Sequence, residues 1–358
     1  MSEQGCGCGG GSKRPVAACA TLSGDQSTPR QAEVRPESVP QLGTRLGWRD
    51  RIGGWGVRWG INRMGYTVEP GLYRIGRPDR RSPVLVTANY KLTVDRLRVE
   101  LGGRDLWLLV LDTRGVNVWC AAAKGTFGTG ELVARIASTG LAGLVDHRRA
   151  IVPQLGAVGV AAHEVKRLSG FEVRYGPILA EDLPAYLDDR LRATPAMRRV
   201  KFAWTDRLVL APVELVGAAK PALGIFLAVA VLDLVSHGRP TWGALTGFAP
   251  YLAAILAGGL VAPLALPWLP FRSFALKGAA LGGVLAVAWL GLFPAGLLGG
   301  AGLALVMIAI VSFMTLTFTG STTFTTLAGV KLETRYALPA LVSAAVVGVV
   351  CSVVAIWI

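Results

Sequence analysis

The sequence predicts an α/β domain built on a mostly parallel, doubly wound sheet, followed by an all-α domain of about five membrane-spanning helices. Apolar strands alternate with helices from residue 82 to about residue 190, which is typical of such a sheet. Long runs almost free of charge fill residues 217–358. A mean hydropathy of +0.47, with 52% hydrophobic residues, is too high for an ordinary soluble protein. We therefore divide the chain into residues 1–44, 45–216 and 217–358.

The first of these segments is rich in glycine, serine, proline and charged residues, and we expect it to be a disordered tail. Cys6 and Cys8 flank one glycine and could converge on a soft metal ion. The alternative is a solvated tail whose cysteines have no role. The start of the chain has no apolar stretch of the secretory type, so we expect the α/β domain to stay in the reducing cytoplasm.

The α/β segment reads as four strands that alternate with helices. The strands are expected in SPVLVTANY, DLWLLVLDTRG, RAIVPQLG and FEVRYGPI, and the helices in KLTVDRLRVELGG, GELVARIAS, VAAHEVKRLSG and EDLPAYLDDRL. A Rossmann-like sheet of this kind binds ligands at the carboxyl ends of its strands. The expected edge therefore includes Thr87 to Asn89, the turn after Asp112, and the residues that follow the last two strands.

Five apolar runs of about 20 residues are expected to cross the membrane. They lie at approximately 217–236, 243–266, 274–293, 296–318 and 337–357. If the α/β domain is cytoplasmic, the outer side receives only Arg239, and the cytoplasmic flanks receive Lys220, Arg272, Lys277, Lys331 and Arg335. This asymmetry follows the positive-inside rule and favours a cytoplasmic α/β domain. We expect a multi-pass protein of the cytoplasmic (inner) membrane.

Charge and cysteine content narrow the function classes. The net charge of +14 is explained by cytoplasmic flanks that meet anionic membrane lipid, and no motif for nucleic acid is present. No C-x-x-C motif occurs among the five cysteines, so ligands for an iron–sulfur cluster or a zinc ribbon are not expected in this chain. If the reaction needs electrons, another protein supplies them.

The segment NVWCAAAKGTFGTG, residues 117–130, carries the most specific chemistry. Asn117 is a good N-cap for a short helix, and Gly125 can end it. A thiol at Cys120 then faces the positive end of the helix dipole, with Lys124 one turn further on, and both favour a thiolate. The small side chains at positions 121 to 123 could let a flat metal macrocycle approach, with the sulfur as axial ligand.

Other readings of this segment stay open on chemistry alone. A free cysteine beside a tryptophan is often an ordinary core residue. The three histidines, His147, His163 and His237, do not lie in the D-x-H-x-x-G pattern of methionine-synthase-type cobalamin modules. No catalytic triad is evident, and the glycines after Lys124 form only a weak phosphate signal.

The segment NVWCAAAKGTFGT resembles the cap-helix signature of the mercury-methylating corrinoid proteins, the HgcA family. The resemblance extends through YTVEPGLYRIGRPDRRSPVLVTANYKLTVDRLR, IVPQLGAVGVAAHEVKRLSGFEVRYGPILAEDLPAYL and FTGSTTFTTLAGVK. These three segments also resemble the corrinoid domain of the corrinoid iron–sulfur protein large subunit. The tryptophan–cysteine signature points to the mercury family in particular.

The resemblance implies a membrane-anchored methyltransferase that moves a methyl group from a corrinoid to Hg(II), with Cys120 as catalytic residue and lower cobalt ligand. It further implies a methyl donor from one-carbon metabolism and a dicluster ferredoxin as electron donor. The positions that match the family's cofactor contacts are Thr87, Thr93, Asn117, Trp119, Cys120, Lys124 and Ala180.

One position departs from the family pattern, because Ala123 stands where the family has glycine. Its methyl group is expected to crowd a bound corrinoid or to exclude a backbone angle that glycine adopts. Two other functions remain as alternatives. One is a corrinoid one-carbon carrier that methylates another metalloid or a thiol, and the other is a non-catalytic membrane receptor.

Overall fold

The computed structural model describes residues 35–321 and 327–358. The tail cysteines Cys6, Cys8 and Cys19, most of the expected disordered tail, and part of the loop between the last two spans lie outside these described residues.

A five-stranded sheet forms the centre of the α/β domain, with strand order β1-β3-β2-β4-β5. The strands are β1 Gly71–Ile75, β2 Val84–Ala88, β3 Leu106–Leu111, β4 Arg149–Val152 and β5 Glu172–Tyr175. Strands β2 to β5 pair in parallel, as the alternating pattern predicts. The sheet is nevertheless mixed, because β1 runs antiparallel to β3.

Strand β1 is the element that corrects the expected sheet. Its segment GLYRI has only five residues and no regular alternation of buried and exposed positions. The hydrophobic pattern therefore does not distinguish this strand from a loop. The outer edge of β1 is covered by residues 40–42: Arg74 N–H donates to Pro40 O at 2.9 Å, and Leu42 N–H donates to Arg74 O at 2.9 Å. Residues 40–42 are thus part of the folded unit, and the expected tail does not extend to residue 44.

Helices cover both faces of the sheet. They are α1 Trp48–Arg58, α2 Lys91–Glu100, α3 Val118–Lys124, α4 Thr129–Ser138, α5 Leu141–Leu144, α6 Ala162–Ser169 and α7 Leu183–Asp188. One core lies beneath α3, α4, α5 and α6, and the other lies beneath α2 and α7. Alternate residues of β2 contribute to the two cores, since Val86 lies in the first core and Leu85 in the second.

The strand order creates a switch point between β2 and β4. The chain passes from β2 to β3 on one side and then returns to place β4 on the other side of β2. The connections therefore diverge at the carboxyl ends of β2 and β4, where open α/β sheets bind ligands. This edge is the one that the sequence indicated.

Five helices of the described residues are long and apolar enough to cross a membrane. They comprise α8 Trp204–His237, α9 Gly243–Leu256 with its continuation α10 Ala262–Ala265, α11 Phe274–Leu292, α12 Leu297–Thr317 and α13 Leu327–Trp357. A π-helical turn, Ala257–Val261, joins α9 to α10 within one span. The number of spans agrees with the sequence, but α8 begins thirteen residues before the expected start and crosses the expected domain boundary at residue 217.

Small residues let the spans pack backbone against backbone. At Gly278 of α11, a Cβ would lie 2.5 Å from the Cα of Ser312 in α12. At Gly302 of α12, a Cβ would lie 2.7 Å from the carbonyl oxygen of Gly348 in α13. Close contacts at glycine are the usual way for helices to associate in a bilayer.

Candidate cofactor site at the carboxyl edge of the sheet

Helix α3 lies at the switch point and is held at both ends, as its sequence predicts. Asn117 Oδ1 accepts a hydrogen bond from Cys120 N–H at 3.0 Å, which makes Asn117 the N-cap. Gly125 ends the helix with φ of 81°, and its N–H bonds to the last turn. Seven residues are too few for an isolated helix to persist, so the caps and the packing must stabilise it.

The packing of α3 divides its residues into a core face and an outer face. Val118, Ala121 and Ala122 are buried in the core above β2 and β4. Cys120 is half-buried, and Ala123 and Lys124 are exposed, one turn further along the same side of the helix. The expected smooth surface of three alanines is therefore wrong, because two of the three methyl groups hold the helix to the core.

The loop that leads from β3 into α3 is fixed by Asn89, which directly follows β2. Asn89 Oδ1 accepts hydrogen bonds from Thr113 N–H at 3.1 Å and Gly115 N–H at 3.0 Å, and the Thr113 hydroxyl lies 2.8 Å from the same oxygen. This 5% exposed asparagine therefore positions the entry to the Cys120 helix. From the sequence we expected Asn89 at the ligand-binding edge. Its hydrogen bonds to the loop at Thr113 and Gly115 could not be predicted from the sequence.

The loop that follows β4 supports α3 from below. A Cβ at Gly156 would lie 2.6 Å from the ring of Phe127, in the loop after α3. One at Gly159 would overlap the carbonyl oxygen of Phe127 and would lie 3.2 Å from the Cα of Ala122 in α3. Phe127 itself is fully buried. The short helix is thus seated on the loops of both strands that flank the switch point.

Thr87 lies at the same edge, one residue before the end of β2. Its side chain is fully buried, and its Oγ1 has no hydrogen-bond partner within the described residues. Strand alternation directs it toward the α2 and α7 side of the sheet, as for Leu85. A buried hydroxyl without a partner lowers the stability of the fold by about 1–3 kcal/mol. The Thr87 hydroxyl is therefore a polar atom that remains available to bind a ligand.

The other residues that were expected to contact the cofactor lie on elements at the same edge of the sheet as Thr87 and Cys120. Thr93 is half-buried in the first turn of α2, directly after β2. Ala180 begins a short 3₁₀ turn after β5 and packs against the core beneath α2 and α7. Trp119 is half-buried beside Cys120. Cys120, Trp119, Asn117 and Lys124 thus lie on α3, whereas Thr87, Thr93 and Ala180 lie on the α2 side of the same edge.

A separate cavity of about 380 Å³ opens at the opposite, amino edge of the sheet. Its lining includes the first residues of three strands, Val84, Leu106 and Arg149. It therefore contains none of the expected cofactor contacts.

An ionic cluster anchors the start of α2. Lys91 Nζ lies 2.6 Å from Asp50 Oδ1 and 2.8 Å from Asp95 Oδ2, and Arg98 bridges the same two carboxylates. Burial raises the pKa of Asp50, but the hydrogen bonds from Lys91 and Arg98 outweigh it and lower this pKa to about 2. Since Asp50 belongs to α1, the cluster joins α1 to the helix that carries Thr93.

Comparison with known proteins places this edge within a described family domain. Residues 62–187 match the family model described as the CO dehydrogenase/acetyl-CoA synthase delta subunit. The acetyl-CoA decarbonylase/synthase complex subunit gamma of Methanopyrus kandleri is 41% identical over 124 residues, which are 34% of this chain and 26% of that protein. The corrinoid/iron-sulfur protein large subunit of Moorella thermoacetica is 35% identical over 155 residues, 43% of this chain and 33% of that protein.

The match to the family model lies within the α/β domain. The chain spans about a quarter to a third of the length of these relatives. The family-model match ends at residue 187, before the first apolar helix α8 begins at Trp204. The relation to corrinoid proteins agrees with the resemblance seen in the sequence.

Proposed function

We propose that this chain is a membrane-anchored corrinoid methyltransferase whose methyl acceptor is Hg(II), giving methylmercury. One observation carries the proposal: Cys120 is half-buried at the start of a capped helix, directly over the switch point of a sheet that is similar to corrinoid-protein domains. The five apolar helices support the membrane part of the proposal.

The residues at the carboxyl edge fit a corrinoid in their chemistry. A corrinoid carries amide side chains around a flat ring, and when bound it supplies a cobalt ion that can accept and release a methyl group. The unpartnered Thr87 hydroxyl offers a hydrogen-bonding atom for such an amide. Thr93, Ala180, Asn117, Trp119 and Lys124 are the further residues that would hold the ring, and Cys120 would hold the cobalt.

Cys120 is placed to serve as a metal ligand. It is the third residue of α3, it is half-buried, and its N–H donates to Asn117 Oδ1, which fixes the backbone that carries the thiol. Lys124 adds a positive charge one turn away. The burial of Ala121 and Ala122 fixes the orientation of the helix and therefore the side on which the sulfur lies.

The choice of Hg(II) as acceptor rests on the tryptophan–cysteine signature at residues 119 and 120. The same resemblance supports a dicluster ferredoxin as electron donor and a methyl donor from one-carbon metabolism. The excess of positive charge on one side of the spans supports a cytoplasmic position for the α/β domain. The alternatives, another acceptor or a non-catalytic receptor, predict different outcomes in the experiment below.

The experiment compares the full chain with its Cys120→Ala and Cys351→Ala variants, each produced without oxygen together with a dicluster ferredoxin. Both cysteines are free thiols in the structure, and Cys351 lies in α13, far along the chain from the sheet. Cobalt per protein, the visible spectrum of the bound corrinoid and methylmercury formed from Hg(II) are measured. We expect Cys120→Ala to change the spectrum and abolish methylmercury formation, and Cys351→Ala to match the unsubstituted chain.

Each contrary result has a distinct meaning. Methylmercury formation at the unsubstituted rate by Cys120→Ala would remove Cys120 as the cobalt ligand. Cobalt without methylmercury in the unsubstituted chain would favour another methyl acceptor. A chain that purifies without cobalt would favour the receptor.

A further inference from the structure

Helix α1 exposes an apolar stripe that the core does not use. Its sequence WRDRIGGWGVR continues into a second tryptophan–glycine pair. The stripe consists of Trp48, Ile52, Trp55 and Trp59, which are 68%, 63%, 69% and 47% exposed. At about 100° per residue, these four positions fall within an arc of roughly 60° on one side of the helix. Such a concentration of exposed tryptophan indicates a surface that binds a partner molecule or a membrane.

The opposite face of α1 is closely packed and cannot rotate inward to hide the stripe. Gly54 and Val57 are buried, and a Cβ at Gly53 would lie 2.6 Å from the ring of Tyr66. Asp50, also on this face, is bound by Lys91 and Arg98 of α2 at 2.6 Å each. The exposure of the tryptophans is therefore fixed by the fold.

The position of α1 beside the first span indicates what the apolar stripe contacts. Helix α1 packs against α8, the first apolar span, and a Cβ at Gly60 would lie 3.4 Å from Cγ2 of Val213. Counting about 20 residues back from the end of α8 places the hydrocarbon boundary near residue 217. Val213 then lies about one turn, roughly 6 Å, beyond that boundary, which is the depth of the lipid headgroups.

Other exposed aromatic residues lie at the same end of the spans. Trp204 at the start of α8 is 59% exposed, and Trp268 and Phe271, between α10 and α11, are 79% and 60% exposed. Tryptophan is enriched at membrane–water interfaces because its ring is apolar while its N–H remains hydrated. The α1 stripe continues this aromatic belt.

Exposed arginines flank the stripe on both sides. Arg49 lies on one side, and Arg51 and Arg58 lie on the other. The guanidinium of Arg49 also stacks on the Trp48 ring, 5.4 Å from its centroid. The only acidic residue of α1 is Asp50, which faces α2. An apolar stripe between cations is complementary to a bilayer that contains anionic lipid.

We propose that α1 is an interfacial helix that lies on the membrane and binds anionic lipid headgroups. Because Asp50 is bound by Lys91 and Arg98, the contact of α1 with the membrane also fixes the orientation of α2. Helix α2 begins at the carboxyl edge of the sheet, so that edge is oriented as well. The α/β domain would then be held by two attachments, the α8 connection and α1, with a fixed face toward the bilayer. This inference does not depend on the cofactor or on the methyl acceptor.

The test places a fluorescent probe on the stripe of the full chain. The five native cysteines are replaced by serine, and a polarity-sensitive nitrobenzoxadiazole label is attached at Trp55→Cys or, as matched control, at Leu168→Cys. Leu168 is a 52% exposed apolar residue on α6, remote from the spans in the chain. Each protein is incorporated singly into nanodiscs of phosphatidylcholine, with or without phosphatidylglycerol. Quenching by a lipid with a shallow spin label and by aqueous iodide is measured.

We expect the label at position 55 to shift to shorter wavelength, to be quenched by the lipid-borne spin label and to be shielded from iodide. The label at position 168 should show the reverse. The lipid contact should be stronger with phosphatidylglycerol, and Arg49→Glu/Arg58→Glu should reduce that difference, since each arginine changes the bound-to-released ratio about fivefold.

Two results would overturn the proposal. If the label at position 55 is as accessible to iodide as the label at position 168 in both lipids, α1 does not contact the membrane. If it is shielded from iodide without quenching by the lipid, a protein surface covers the stripe instead. Circular dichroism of each labelled protein shows whether the fold is retained, and Ile52→Cys provides a second position on the stripe if Trp55→Cys does not fold.

Discussion

Thr87 and Cys120 are the two residues on which the candidate site depends, and different interactions place their side chains. The start of the helix that carries Cys120 is a local feature, because it depends on the four residues that begin with Asn117. The unpartnered hydroxyl of Thr87 is a product of tertiary packing, because only the surrounding helices exclude water from it. A residue that costs stability at a candidate site has the signature of a functional position.

Thr87→Val tests this signature at the residue scale. Valine keeps the shape of the side chain and removes the unpaired oxygen, so without corrinoid the free energy of unfolding should rise by about 1 kcal/mol. Corrinoid retention should fall. Thermal unfolding in detergent and cobalt per protein measure the two effects.

Thr113→Val is the matched control, since Thr113 is equally buried but its hydroxyl lies within hydrogen-bond distance of Asn89 and Val116. It should lower stability by about 1–2 kcal/mol. A loss of stability in Thr87→Val equal to that of the control would contradict the interpretation of Thr87.

Ala123→Gly tests the departure from the family pattern. Ala123 lies within the α-helix and is not among the residues with positive φ, so the backbone gives no reason for glycine here. Its methyl is exposed one turn from Cys120, and its removal should raise corrinoid occupancy, although the helix loses up to about 1 kcal/mol. Unchanged or lower cobalt content would show that the site accommodates alanine.

At the scale of elements, the connection between α1 and α2 is the most consequential. The carboxylates of Asp50 and Asp95 share Lys91 and Arg98, and Arg98 also donates to the carbonyl oxygens of Gly43 and Arg45 at 2.6 and 3.0 Å. A single cluster thus holds residues 43–45, α1 and α2 together. The helix that begins at the candidate site is braced from its opposite side.

Asp50→Asn should lower the free energy of unfolding of the α/β domain by about 2 kcal/mol, because the half-buried Lys91 and the buried Arg98 lose a charged partner. The pKa of Asp50 is lowered from 3.8 to about 2 in the folded chain. Its contribution is therefore present above pH 4 and is lost as the pH falls from about 4 toward 2.

Unfolding midpoints measured between pH 7 and pH 2.5 check this sign. The difference between the unsubstituted chain and Asp50→Asn should be largest at neutral pH and should shrink below pH 4. Arg80, which pairs with Asp146 at an exposed site, supplies the control, and Asp146→Asn should change stability by less than about 1 kcal/mol. A constant difference across the pH range would contradict the assignment of the lowered pKa to this cluster.

At the scale of the whole molecule, charge and aromatic residues give the spans a direction. On the side of the α/β domain, Lys277 donates to the carbonyl oxygens of Leu266 and Leu269 at 2.7 and 2.9 Å, and Arg207 donates to Leu264 O at 2.7 Å. These cations stabilise the carboxyl end of the second span on that side. On the other side, Arg239 is the cation between α8 and α9.

We predict that the α/β domain lies in the cytoplasm and that Ile358 lies on the outer side. Five spans place the two ends on opposite sides of the bilayer. Alkaline phosphatase, which is active only outside, should be active when fused after Ile358, and a fusion that fluoresces only in the cytoplasm should be dark there. The opposite pair of results would reverse the topology.

The sequence by itself determined the features that arise from short stretches of chain. The parallel strands β2 to β5 and the five spans follow from runs of apolar residues with a clear period or length. The two ends of α3 follow from Asn117 and Gly125, because capping joins residues within one turn of each other. These features need no knowledge of distant contacts.

The tertiary structure decided what depends on residues far apart in the chain. It set β1 antiparallel at the edge of the sheet and buried Ala121 and Ala122 instead of presenting them to a ligand. It left the Thr87 hydroxyl without a hydrogen-bond partner in the described part of the chain. It also turned the tryptophans of α1 outward, beside α8. Strand direction, the buried side of a short helix and the exposure of a stripe are all chosen by non-local packing, which no local pattern specifies.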